Sequence, residues 1–154
     1  MKLTIALIVA NVVVYATGVS TTSMLANMFV HANLVHLVGN MVFLAAAGAI
    51  VECELGSVRL LAIYLAAGVA GCLLHTLVSG DELVGASGAV CGVLAVAAVL
   101  RPRILVFVIA LLGVNAWEAL GGAGGAISFE SHIGGFAVGA AVGLACRNRR
   151  LHEN

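Results

Sequence analysis

The chain has 154 residues, of which 62% are hydrophobic and 9% charged, with a mean hydropathy of +1.16. So little polar surface cannot wrap a folded chain in water, which excludes a soluble domain and makes a bilayer the solvent for most of the sequence. Seven Lys and Arg balance seven Asp and Glu, an even charge that gives no pointer to nucleic acid, and the length fits a single domain over 1–154.

Six apolar stretches follow in order, at about 3–19, 34–51, 59–78, 85–100, 103–120 and 131–146. Unpaired backbone amides are not tolerated in lipid, so each is expected to be a helix and the fold class to be all-α with six membrane spans. The first stretch, with Lys2 ahead of an apolar run, also has the look of a secretory signal. No small-x-small cleavage site follows it and Asn11 interrupts it, which favours a retained span.

With the N-terminus in the cytoplasm, all seven basic residues fall on the inner side: Lys2, Arg59, Arg101, Arg103, Arg147, Arg149 and Arg150. The outer loops then carry Asp81, Glu82 and Glu130 without Lys or Arg, as the positive-inside bias requires for six spans with both termini inside. Trp117, near the outer end of the fifth segment, fits an interfacial anchor.

This orientation gathers chemistry at one depth. The second, fourth and sixth segments all enter from outside, and near their starts lie His31, His36 and Asn40, then Ser87, then His132. At 1.5 Å per residue these groups fall within roughly 10–15 Å of the outer boundary. The segment "HANLVHLVGN" puts His36 and Asn40 four apart, on one helix face. Polar side chains in lipid are costly and by default face the bundle interior with a function, here hydrogen-bond donation to an oxyanion, although interhelical bonding is the rival use. His31 and Asn33, nearer the boundary, are expected to order the approach to the helix.

Ser87 stands in "GASGAV" at a helix N-terminus, where free amides and the positive dipole end favour a developing oxyanion. A small serine used only for packing is the plain alternative. His132 stands in "SHIGGFAVGAAVG", at the outer end of a stripe formed by Gly135, Gly139 and Gly143 that admits close helix approach. The fourth segment offers a matching small face, Gly88, Cys91, Gly92 and Ala95, so the two helices are expected to pack in parallel with Ser87 beside His132. A serine beside a histidine is the minimum nucleophile and general base. Glu118 and Glu130 are the carboxylates within reach of a triad role, with no spacing to favour either; His75 is at best a supporting group. His36, His75 and His132 share the outer half, but no recurrent zinc spacing connects them, and no metal is expected. The four cysteines, Cys53, Cys72, Cys91 and Cys146, form no CxxC pair and read as buried thiols; Cys146, beside Arg147, is also a candidate for acylation.

Taken together, "HANLVHLVGN", "GASGA", "SHIGGFAVG" and "GAIVECELGS", in this order, resemble the rhomboid intramembrane serine proteases from about Phe29 to Leu144. The resemblance implies a six-helix rhomboid-like bundle in which Ser87 is the nucleophile, His132 its base, and His36, Asn40 and the Ser87 amide the oxyanion hole. Gly85 would admit the substrate backbone. It implies transmembrane protein substrates, an integral membrane protein of the cell membrane with its site on the extracytoplasmic side, and no metal or cofactor. It also implies a fifth helix that swings aside for substrate, and the Gly-rich 120–130 suggests a mobile cap. Two features depart from the family: the stretch 18–30 lacks its Trp-Arg pair, and Cys91 stands where many members stack an aromatic on the histidine, which leaves His132 less firmly held. A catalytically silent adaptor that binds transmembrane helices is the alternative function. A channel or transporter would need polar residues through the full depth of the bundle, which the apolar inner halves lack.

Overall fold

The computed structural model describes residues 1–19, 23–79, 85–119 and 128–152. These form seven helices: α1 (Lys2–Thr17), α2 (Met24–Asn27), α3 (Leu34–Leu55), α4 (Ser57–Ser79), α5 (Ser87–Leu100), α6 (Leu105–Ala119) and α7 (Phe129–His152). The chain is all-helical over these residues. α3, α4 and Phe129–Arg149 of α7 are long and apolar enough to cross a membrane. α1 and α5 are shorter apolar helices.

The expected segments are all helical, with shifted ends. The first stops at Thr17, because Gly18 turns into the left-handed region (φ 63°) and its N–H caps the Tyr15 carbonyl. The fifth starts late, since Pro102 opens a 3-10 turn over Pro102–Ile104. The sixth is extended at both ends, and the four-residue α2 was not anticipated.

α5 is the centre of the molecule. Every residue from Ser87 to Ala97 is buried, the pattern of a helix enclosed on all sides. α3, α4 and α7 surround it, α1 packs on α3 and α4, and α6 lies at the periphery, with Phe107 edge-on to Phe43 of α3 at 6.3 Å between ring centroids. The outward faces are apolar: Val35, Val58 and Leu77 are 83%, 84% and 81% exposed. Valine and leucine displayed this way suit lipid rather than water.

Glycine sets the packing around α5. A Cβ on Gly135 would sit 2.0 Å from the Gly88 carbonyl oxygen, and one on Gly139 would sit 2.1 Å from that of Gly92. Gly143 meets Val96 and Val99. The register advances in the same sense on both helices, so α5 and α7 run parallel, joined along the stripe expected from sequence. α4 runs antiparallel to both, with Gly71 against Ser131 and Gly68 against Ala89.

Buried polar groups tie the bundle elsewhere. Asn11, wholly buried, donates from Nδ2 to the Leu7 carbonyl at 2.7 Å and to the Tyr64 hydroxyl at 3.3 Å, joining α1 to α4. Near the end of α3, the buried Glu52 carboxylate accepts from the Leu3 and Thr4 amides at 2.9 Å each, from Thr4 Oγ1 at 2.7 Å and from Ser57 Oγ at 2.8 Å. First-turn amides have no partner within their own helix, so Glu52 caps α1 from a neighbouring helix and its charge suits the positive helix end. Glu52→Ala is therefore expected to cost about 2 kcal/mol or more by stranding these donors, read as a lowered melting temperature in detergent, with Glu52→Gln intermediate. At the same end Arg101 of the α5–α6 connection bonds Glu54 of α3, its Nε 2.7 Å from Oε1.

Candidate active site

Three helices bring the expected residues together at the end of the bundle opposite Glu52. Asn33 caps α3, its side-chain oxygen accepting from the His36 amide at 2.9 Å, and so sets where the His36 ring leaves the helix. Gly85, just before α5, has a φ of 129°, and a Cβ there would lie 2.8 Å from His36 Cε1. A left-handed backbone and an imidazole against it both demand glycine at this position. The Gly85 amide donates to the Asn27 carbonyl at 3.0 Å, which pins the start of α5 to the end of α2.

Ser87 is the first residue of α5 and is 8% exposed. The next residue, Gly88, lies against Ser131 of α7, where a Cβ would meet Ser131 Oγ at 2.6 Å. His132, also 8% exposed, follows Ser131. The glycine seam thus sets Ser87 and His132 at the same level on adjoining helices. Among the described residues Ser87 Oγ accepts and donates no hydrogen bond; nucleophile and base pairs are often loose until substrate arrives. His36 is close enough to His132 for their charges to interact.

Asn40 lies one turn beyond His36 on the same face of α3. It is 7% exposed, and its Nδ2 is buried without a hydrogen-bond partner among the described residues. Stranding such a donor costs about 1–3 kcal/mol, so the site favours an incoming oxygen. His31 donates from Nδ1 to the Phe29 carbonyl at 3.2 Å and meets the His36 ring edge-on at 5.3 Å between centroids. Burial, helped by the His36 charge and opposed by the Phe29 carbonyl, pushes His31 down to about 4, so it is neutral at pH 7 and acts as a wall for His36. Cys91, one turn from Ser87, is a fully buried free thiol in the α5 core.

Glu130 borders this cluster, close enough to His132 for their charges to interact, and the other expected groups lie apart from it. Glu130 lies by His75, its Oε2 3.4 Å from His75 Nδ1, and both are near Ser128. The Glu118 and Trp117 side chains, the acidic loop at 81–82 and the Gly-rich stretch 120–127 lie outside the described residues. Cys72 is buried, Cys146 half-buried and Cys53 exposed, so the last is not the interior thiol expected. Among the described residues no three His, Cys, Asp or Glu side chains converge as metal ligands.

Sequence reasoning passed over Asn27, Met28, Ser128 and Ser131, all at this end. Met28 is 3% exposed and its methyl reaches Gly68 of α4. Ser128 carried a readable signal, a serine directly before a first turn containing Glu130.

Residues 18–149 match the family profile described as Rhomboid domain. The chain is 34% identical over 125 residues to RHOMBOID-like protein 4 of Arabidopsis thaliana, covering 75% of this chain and 32% of that protein. It is 40% identical over 72 residues to RHOMBOID-like protein 7 and 39% identical over 70 residues to RHOMBOID-like protein 2, both of Arabidopsis thaliana. These matches cover 46% and 45% of this chain and 23% and 22% of the relatives, so it spans a third or less of the proteins it matches.

Proposed function

We propose that this chain, which belongs to the rhomboid family, is an intramembrane serine endopeptidase that cleaves transmembrane proteins with Ser87 as nucleophile and His132 as general base. The observation that supports the reading is the glycine seam: Gly88, next to Ser87, packs against Ser131, next to His132, on two helices held in close parallel contact. Packed small residues alone would not also require an Asn40 amide without a partner among the described residues and a histidine pressed on Gly85 at the same end of the bundle.

The chemistry runs in two halves. His132 takes the Ser87 proton as Oγ attacks a peptide carbonyl. The oxyanion is held by the Ser87 amide, Asn40 Nδ2 and the His36 ring, with α5's positive end behind them. His132 then gives its proton to the leaving amine, and water, deprotonated by the same imidazole, hydrolyses the acyl-enzyme. Gly85 leaves room for the substrate backbone.

Six helices, α1 and α3 to α7, are the six spans of this reading, with both termini cytoplasmic and the site facing outward. At 1.5 Å per residue the 14 residues of α5 reach ~21 Å, short of a ~30 Å hydrocarbon core. With Arg101 at the inner face, Ser87 falls below the outer one, in a recess open to water from the extracytoplasmic side of the cell membrane. The peripheral place of α6 suits a helix that yields to a substrate arriving through lipid.

The test is turnover by purified protein in proteoliposomes carrying a labelled transmembrane substrate. Two fragments ending at a site near the membrane face are expected; binding of the substrate without a product would make the chain an adaptor. In the same assay Asn40→Ala is expected to lower kcat by roughly 10²–10³-fold with KM little changed, the mark of a donor used mainly in the transition state. An equal rise in KM with unaltered kcat would assign Asn40 to substrate binding instead.

A further inference from the structure

The last turn of α4 approaches the start of α7 through a group that the proposed reaction does not use. His75 is 9% exposed, and its Nδ1 lies 2.6 Å from Ser128 Oγ. Glu130 Oε2 lies 3.4 Å from both. Ser128, also 9% exposed, accepts the Ser131 amide on Oγ at 3.2 Å and the His132 amide on its carbonyl at 3.4 Å.

A serine, a histidine and a glutamate in contact invite the reading of a second hydrolytic triad. The geometry argues against it. A triad needs the serine on one ring nitrogen and the carboxylate on the other. Here both address Nδ1, and Ser128 Oγ is already engaged by a backbone amide. The arrangement suits anchoring instead. With Nδ1 bare, the Ser128 hydroxyl donates to it. With Nδ1 protonated, the ring donates to Ser128 Oγ and the hydroxyl turns to the Glu130 carboxylate. The bond survives in either state.

We propose that His75 and Ser128 are positioning residues for the general base: the His75–Ser128 bond anchors the first turn of α7 to α4 and thereby sets His132 against Ser87. This positioning role rests on the catalytic reading of Ser87 and His132. The first amides of any helix have no partner within it, so the start of α7 is where the helix is weakest, and His132 is only its fourth residue. Ser128 Oγ holds one of these amides, that of Ser131, while the Ser128 carbonyl takes the His132 amide in the first i→i−4 bond of the helix. His75, reached across 53 positions of sequence, holds the serine. The seam at Gly135 and Gly139 fixes the helix axis, and this anchor fixes its end.

The test combines turnover in proteoliposomes with amide hydrogen exchange at residues 131–135 of the full chain. His75→Ala is expected to lower kcat by roughly tenfold to a hundredfold, since displacements of about 1 Å at a reacting group carry losses of that size, with KM within about twofold. Exchange at 131–135 accelerates. His75→Gln, whose amide reaches the same oxygen, restores kcat to within about threefold. His75→Ala combined with Ser128→Ala is no slower than Ser128→Ala alone, because both changes cut one bond. Wild-type kcat and unaltered exchange in His75→Ala would overturn the proposal, as would additive losses in the double variant. A wild type without turnover would fall on the catalytic reading, and exchange in His75→Ala would still decide the anchor.

Discussion

Alanine at Ser87 or at His132 is expected to reduce kcat for a transmembrane substrate by roughly 10⁴–10⁶-fold, with the double substitution no worse than the more damaging single one. The size follows from the roles. Without Ser87 Oγ no acyl-enzyme forms, and without the imidazole the hydroxyl keeps its proton, so either loss disables the same step. The fold should bear both changes. Ser87→Ala removes one oxygen from the first residue of α5, and His132 lies at the end of a helix whose axis is held by Gly135 and Gly139 further along. Turnover in proteoliposomes, with helix content checked by circular dichroism, reads the outcome. Activity within tenfold of wild type in a folded Ser87→Ala protein would contradict the assignment, and losses that multiplied in the double variant would show that the two residues serve different steps.

The second large effect is one of packing. Gly139→Val is expected to destabilise the bundle by about 3 kcal/mol and to lower kcat by roughly a hundredfold, although residue 139 touches no reacting group. A Cβ there meets the Gly92 carbonyl oxygen at 2.1 Å and the Gly92 Cα at 2.8 Å. These are backbone atoms, which cannot rotate out of the way, so α5 and α7 must separate. Separation at that level carries through to Ser87 and His132 two turns away. Gly113→Ala is the control: among the described residues a Cβ there meets nothing within 4 Å, and the helix gains up to about 1 kcal/mol of propensity. Melting in detergent and turnover should fall together for Gly139→Val and stay unchanged or rise slightly for Gly113→Ala. A Gly139→Val protein as stable and active as wild type would remove the seam from the account.

The features that sequence revealed are those with a period. Gly135, Gly139 and Gly143 recur every four residues, a spacing that asks for a second small-faced helix, and Gly88 and Gly92 are where the structure meets it. His36 and Asn40 share that spacing, and they lie on one face with Asn33 capping their helix. Features without a period stayed hidden. The break at Pro102 came from one residue, and α2 has only four. The role of Glu52 stayed hidden too, since nothing local says that the Leu3 and Thr4 amides return to it across nearly fifty positions. The approach of His75 to Ser128 is equally non-local, and Glu130 lies beside both. Asn11 interrupts an apolar run in sequence, and the structure supplies the reason in Tyr64.

The central claim is that Ser87 is an activated nucleophile, and the most direct measurement is mass-spectrometric mapping of the adduct formed by a fluorophosphonate probe on the folded protein in membranes. The account predicts one adduct on Ser87, absent from Ser87→Ala and strongly reduced in His132→Ala. Equal labelling of the wild type and Ser87→Ala, or an adduct on another serine, would contradict it.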